Sequence, residues 1–169
     1  MEKEKLLDYV APCSLLCNTC ISFKDGPHSE GARNVYKYSD GWGEFWSALL
    51  PEEKREEWHK EWIWFQDTLQ YLGGASCPGC RNNPPSNKEG WGCLEGCVIP
   101  DCVKERRVDF CAECDEFPCQ RAKDFFAAQK NNQIDWENGS RRIKEIGLNA
   151  YFEEKKDVSH YIRCKKKAE

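Results

Sequence analysis

Twelve cysteines in 169 residues carry most of the chemistry this chain can do. Cys13, Cys17 and Cys20 lie in "CSLLCNTC", and Cys77, Cys80, Cys93, Cys97, Cys102, Cys111, Cys114 and Cys119 crowd into 43 residues. Cys164 stands apart in a lysine-rich tail. "CPGC" and "CAEC" are C-x-x-C loops, in which two thiolates converge on one ion while intervening backbone N–H groups donate to sulfur. Two such pairs supply four sulfurs at tetrahedral reach, as in structural zinc sites, and the same knuckles hold iron in rubredoxin-like sites. The first trio has C-x3-C-x2-C spacing and can supply three corners of a 4Fe–4S cluster. Radical S-adenosylmethionine enzymes use that spacing but need a long βα barrel after it. Here a Trp-rich helix and a loop follow.

Four-coordinate sites consume thiolates in fours. The trio plus the crowded eight makes eleven, which fills two sites and leaves three for a site with an open or non-cysteine position. Cys164 reads as a bystander. His28, His59 and His160 fall outside the cysteine groups, so sulfur dominates the expected ligand set. A four-thiolate zinc or oxidised 4Fe–4S centre carries about −2. Arg81, Lys104, Arg106, Arg107 and Arg121 flank ligand candidates and can donate to sulfur and offset that charge. "FCAECDEFPC" places Cys111 and Cys114 as a chelating pair and Phe117 as an apolar anchor. Pro118 suits the first position of a helix, which would put Cys119 second, where free N–H groups and the helix dipole favour a thiolate.

The elements that must position these thiols are mostly helices. From Pro51, "PEEKREEWHKEWIWFQDTLQYLGG" has Pro and acids at its start and Gly-Gly at its end. Trp58, Trp62, Phe65, Leu69 and Leu72 step along one face, which predicts a wide buried face in a bundle, while a surface for a partner or flat ligand is the alternative. Trp64 and Tyr71 form a second seam. A shorter helix is expected around "GEFWSALL". "FPCQRAKDFFAAQK" predicts an amphipathic helix running toward Lys130, broken by "NNQIDWENG". "SRRIKEIG" predicts a short helix with Ser140 as N-cap and Gly147 after its end, and "NAYFEEKK" a last helix capped by Asn149. The Pro/Gly-rich stretch from Cys77 to Cys93 offers little core, and bound metal would hold it. No period-two run is present. The expectation is a mainly α, irregular, small metal-stabilised protein with cysteine-rich loops and at most short β-hairpin pieces at metal knuckles. It is read as a single domain, 1–169. Residues 21–76 form a helical Trp-rich insert, 77–119 the cysteine-rich block and 120–160 the C-terminal helices.

"APCSLLCNTC", "CPGCR", "CVIPDCVKERRVDFCAECDEFPC" and "RRIKEIGLNAYFEE" together resemble the bacterial and archaeal family called domain of unknown function 3795. The resemblance covers nearly the whole chain, with the Trp-rich region as the variable part. It implies a small, intracellular, metal-binding protein and no particular reaction. The family's recurring cysteines correspond to Cys13, Cys17, Cys20, Cys77, Cys80, Cys97, Cys102, Cys111, Cys114 and Cys119, with Cys93 and Cys164 as extras. Many members carry Gly where this chain has Ser14. Two four-sulfur sites and a pair result, and Cys93 can complete a third site. Cys77 and Cys80 are expected to share a site with a pair from their own block, and the trio to be completed by a distant cysteine such as Cys119.

Net charge is −4, which provides no cationic field for nucleic acid. The basic runs Lys104–Arg107 and Arg163–Lys167 read as a solvated helix face and a tail. "MEKEKLLDYVAP" lacks the apolar core of a secretory signal, and no apolar stretch is long enough to span a membrane. A reducing cytoplasmic setting, where clustered cysteines bind metal or do redox work, is therefore expected. No phosphate-cradling glycine loop or nucleophile motif appears, and Asp115 and Glu116 read as solvated acids, so catalysis has little support. The leading expectation is a non-catalytic module for a protein partner, with two or three all-thiolate sites holding zinc or a 4Fe–4S cluster. One alternative is a 4Fe–4S electron-transfer or accessory protein of an anaerobic redox enzyme. Another is thiol redox or metal trafficking. Oligomeric state is not set by the sequence.

Overall fold

The computed structural model describes residues 1–82, 94, 96–129 and 134–162. Cys93, Cys164, most of the Cys77–Cys93 stretch and the Arg163–Lys167 run lie outside the described residues, as does Lys130. Among the described residues the chain is helical and irregular. Its elements are α1 (Lys3–Tyr9), α2 (Pro27–Tyr38), α3 (Trp42–Leu49), α4 (Glu52–Gly73), α5 (Ile99–Arg106), a 3-10 turn (Cys111–Glu113), α6 (Gln120–Ala128), α7 (Trp136–Ile146) and α8 (Leu148–Lys155). Among the described residues extended pairing is limited to two isolated bridges, Val10 with Leu16 and Phe23 with Cys77. None of the described helices is long and apolar enough to cross a membrane.

Two apolar clusters hold the cysteine-bearing part together. In one, Leu6, Val10, Leu16 and Phe110 pack against Ile143, Tyr151 and Phe152, joining α1 and the turn after it to α7 and α8. In the other, Ala11, Phe23, Ile99, Val103, Phe126 and Trp136 pack around the buried thiols of Cys13, Cys17 and Cys111. Phe126 and Trp136 stack with ring centroids 5.1 Å apart. Burying several such rings contributes about 2 kcal/mol each before conformational entropy is charged against them.

Residues between the two cysteine runs fold into a three-helix unit. α2 runs antiparallel to α4: Arg33 in the middle of α2 donates to Gly73 O at the end of α4 at 3.1 Å, and one turn on Gln70 Nε2 donates to Tyr36 Oη at 2.6 Å. α3 packs on the first half of α4, where Trp58 Nε1 donates to Gly43 O at 2.9 Å. Gly43 is required there, because a Cβ at that position would lie 2.2 Å from the Trp62 indole nitrogen.

The wide buried face expected of α4 is not formed. Only Leu69 is buried; Trp58, Trp62 and Leu72 are half-buried, Phe65 is exposed, and Trp64 on the second seam is 69% exposed. The reason is the number of neighbours. Among the described residues only α2 and α3 pack extensively on α4, one on each half of its length, so its other faces stay in solvent, and α3 leaves its own Trp42, Phe45 and Leu49 partly exposed.

Three helix starts also differ from expectation. α6 begins at Gln120, so Cys119 is its N-cap residue and Pro118 lies outside the helix, after a cis Phe117–Pro118 peptide. α7 begins at Trp136, inside the stretch expected to break the chain, because Asp135 caps it through Oδ1 accepting from Asn138 N at 3.3 Å. Ser140 is fully buried in mid-helix. α8 begins at Leu148 with Gly147 at its N-cap, which leaves Asn149 inside the helix. Gly147, at φ +80°, ends α7 as expected.

Candidate functional site

All ten described cysteines are thiols, and they fall into two neighbourhoods. The first lies between α5 and α6. Cys102 is on α5, Cys111 opens the 3-10 turn, Cys114 follows it and Cys119 caps α6. Together with Ile99, Val103, Arg106, Val108 and Phe117 these four line one small apolar cavity. The backbone fixes them closely. Cys111 N donates to Pro12 O at 3.0 Å, Cys114 N to Cys111 O at 3.3 Å and Phe117 N to Cys114 O at 3.1 Å. Glu113 accepts from Asp109 N at 2.7 Å and Phe110 N at 3.2 Å, which secures the turn. Phe117 is the expected anchor: its ring meets Trp136 edge-on at 5.6 Å and lies 5.5 Å from the Arg141 guanidinium carbon.

The electrostatics report the same grouping. Burial pushes the Cys111 thiol up to about 12, with the neighbouring charges of Cys119, Cys102 and Cys114 adding to the shift. Cys102 is also raised by burial, against a lowering by Arg121, with Cys119 and Cys114 raising it further. Arg106 and Arg121 are the basic side chains nearest this set, and each is held by an acid: Arg106 by Glu116 at 2.7 Å and Arg121 by Glu105 at 3.7 Å.

The remaining six described cysteines form a looser set, linked through the pairs Cys13–Cys97 and Cys20–Cys77 and through Arg81, on which Cys17 and Cys80 act. Cys17 N donates to Tyr9 O at 2.7 Å and Cys20 N to Cys17 O at 2.9 Å, which winds the trio into consecutive turns. Ser14 starts these turns at φ +70°, the region glycine occupies most easily, and this accounts for the residue type that the family resemblance favours there. The bridge of Phe23 with Cys77 then brings the ends of the three-helix unit together: Cys77 N donates to Ser22 O and Lys24 N to Cys77 O, both at 3.0 Å. In "CPGC", Gly79 has φ +88° and supplies the knuckle turn. Burial raises the thiols of Cys77, Cys97 and Cys13, the last to about 11. Cys20 raises Cys77 further, and Cys97 raises Cys13 further. Cys13 also acts on Cys111, so it stands where the two neighbourhoods meet.

Cys119 therefore lines one cavity with Cys102, Cys111 and Cys114, while the charge of Cys20, from the early trio, acts on Cys77. Among the described residues no three His, Cys, Asp or Glu side chains are gathered tightly enough to hold a metal ion. The donor chemistry fits a thiophilic metal in both neighbourhoods; the sulfur spacing is not yet that of a single coordinated ion.

Arg81 departs from its expected role. Its guanidinium donates to Leu7 O at 2.9 Å and Val10 O at 3.4 Å and lies 4.8 Å from the centre of the Phe110 ring. Burial lowers its pKa, offset by Asp109 and then by Cys17 and other acidic groups including Cys80. It thus braces the N-terminal turn with backbone bonds and sets a positive charge near two thiols. Two residues near the site carried no sequence signal. His160 is buried with Nδ1 2.9 Å from Leu16 O, and Tyr161 Oη lies 3.6 Å from Cys20 Sγ while accepting from Ile21 N at 3.2 Å. Together they seat the C-terminal segment against the first cysteine turns. His28 and His59 are exposed.

One protein-family model, described as "Protein of unknown function (DUF3795)", matches residues 9–124. No curated protein and no solved structure matches the chain.

Proposed function

Because the chain belongs to the DUF3795 family, a family whose description assigns no reaction, we propose a function from its thiols: a metal-binding protein with two all-thiolate centres, acting as a non-catalytic module for a protein partner. Cys102, Cys111, Cys114 and Cys119 form one centre. The other draws its four ligands from Cys13, Cys17, Cys20, Cys77, Cys80 and Cys97. Zinc and an iron–sulfur cluster both suit this donor set. The observation that carries the reading is the cavity lined by four thiols and otherwise almost wholly by apolar side chains. Burial raises the Cys111 and Cys102 thiols of this cavity, which makes their separate ionisation costly, and a cation that replaced their protons would remove that cost. Cys102, Cys111, Cys114 and Cys119 would hold the metal, which would take the place of their protons. Arg106 and Arg121 offset part of the remaining negative charge. A reducing compartment suits thiols kept in this form.

The test is metal and sulfide analysis, with a visible spectrum, on full-length protein purified without oxygen. The expected result is about two zinc ions per chain without colour, or about eight irons with labile sulfide and brown colour. Cys114→Ser is expected to lose about half the metal and Cys20→Ser the other half. Wild-type protein that holds no stoichiometric metal, or a Cys114→Ser variant with full metal content, overturns the reading.

A further inference from the structure

The three-helix unit carries an aromatic surface that the thiol chemistry does not use. Trp42 meets Trp46 at 6.0 Å and Trp62 at 5.3 Å, Phe45 meets Trp46 at 6.0 Å, and Trp62 meets Phe65 at 5.5 Å. Beside them a groove of about 480 Å³ is lined by Val35, Tyr38, Trp42 and Phe65 with Asn34 and Ser39, and Lys37, which also lines the neighbouring recess, lies 5.2 Å from the centre of the Tyr38 ring. Tyr38 is 78% exposed, Phe45 60% and Leu49 62%. At 150–250 Å² per ring, the exposed parts of these aromatics amount to roughly 500 Å², near the upper end for a monomer's largest apolar patch. With Val35, Leu49 and a polar rim the surface approaches the ~800 Å² per partner of a standard interface.

Charge selects the occupant. Residues 21–76 hold ten acidic and six basic side chains, which is the whole of the chain's net −4; the remainder of the chain is balanced. Glu57, Glu61 and Phe65 succeed one another one turn apart along α4, and Asp40 and Glu44 line a recess with Trp62 next to the groove. All four acids are exposed, and among the described residues none is ion-paired. A second copy of this face would bring two net −4 units together, and nucleic acid or an anionic bilayer would meet the same repulsion. A partner helix with an apolar stripe flanked by Lys and Arg meets both the rings and the acids.

We propose that this face docks a basic amphipathic helix of another protein. Its apolar side chains enter the groove formed by Val35, Tyr38, Trp42 and Phe65, and its cations lie against Asp40, Glu44, Glu57 and Glu61. The inference rests on the partner-module reading above and names that partner's chemistry.

The probe is a synthetic amphipathic helix of leucine and lysine, about 18 residues long, with a counterpart carrying glutamate in place of lysine. Both are titrated by fluorescence anisotropy into the full-length protein as purified, with its metal content measured in the same preparations. The lysine peptide is expected to bind and the glutamate peptide not to. Binding is expected to weaken at least about tenfold in high salt, and by a similar factor in the double variant Tyr38→Ser, Phe45→Ser, whose metal content stays at the wild-type value. Failure of the lysine peptide to bind overturns the proposal. So does equal binding to wild type and double variant, or equal binding of the glutamate peptide. A concentration-dependent dimer in sedimentation that Phe45→Ser abolishes also overturns it, in favour of a second copy. Absence of metal from wild-type protein counts against the metal centres alone, and peptide failure on metal-loaded protein against the docking face alone.

Discussion

Tyr151 Oη donates to the carbonyl of Ser14 at 2.9 Å, tying α8 to the turn that presents Cys13 across 137 positions of chain. Both groups are buried, so neither recovers a partner from water if the other is removed. Tyr151→Phe should therefore cost about 1–2 kcal/mol, read as a lower thermal midpoint at unchanged helical content.

The same turn is pressed by α7. A Cβ at Gly139 would lie 2.3 Å from Ser14 Oγ, 3.0 Å from Ser14 Cβ and 3.1 Å from Tyr151 Oη. Gly139→Ala gains about 1 kcal/mol of helix propensity, yet the overlap should reverse the sign and leave a net loss of about 1–2 kcal/mol. Ser14→Gly removes two of the three obstructing atoms and suits the φ of +70°, so the double variant should recover most of that loss. Denaturant unfolding of the three variants checks this. A double variant no more stable than Gly139→Ala would show that the Ser14 side chain is not the obstruction.

Arg81 is predicted to be irreplaceable by lysine. The planar guanidinium reaches Leu7 O and Val10 O together while lying over Phe110, and an ammonium cannot serve both carbonyls in that plane. Arg81→Lys should lower stability by about 1–3 kcal/mol in urea unfolding, and a change within experimental error would sink this account.

Metal uptake should release protons. Cys13, raised to about 11, and Cys111, raised to about 12, both hold their protons near pH 7, and both must give them up to bind metal. Raised pKa values favour the protonated thiol up to the ordinary thiol range and beyond it, so apparent affinity falls as pH falls. Loading in weakly buffered solution should acidify the medium, and acid titration from about pH 8 to pH 5 should strip the metal. Uptake with no proton release is the contrary result.

The sequence made some of this arrangement readable and hid the rest for physical reasons. α4 is legible from its start at Pro51, its end at Gly73–Gly74 and the four- and three-residue steps of its large apolar side chains, and α3 from its apolar run. α2 is harder to read because "PHSEGARNVYKY" contains Gly31 and buries only two small residues, Ser29 and Ala32. α7 starts earlier than its sequence suggests because Asp135, not Ser140, supplies the capping oxygen. The pairing of Cys111 with Cys114 is legible from their C-x-x-C spacing, whereas Cys119, expected to complete the early trio, lines a cavity with them and Cys102 because Phe117 N bonds back to Cys114 O and α6 starts beside that turn. The approach of Cys20 to Cys77 is not legible, because it depends on a 56-residue excursion returning to the bridge at Phe23. The direction in which α4 faces solvent is equally hidden, being decided by which elements pack on it.

That bridge gives the three-helix unit a single doorway. The chain leaves the thiol region at Lys24 and re-enters it at Cys77, with two backbone hydrogen bonds of 3.0 Å closing the threshold. Ser29 and Arg33 reach back to it, donating to the carbonyls of Phe23 and Lys24, so the first two turns of α2 belong to the threshold, while what lies beyond them is expected to tolerate lengthening or replacement. The aromatic head behaves as an exchangeable fitting on a fixed socket, and a chain carrying a different head would keep the same ten described thiols in the same two neighbourhoods.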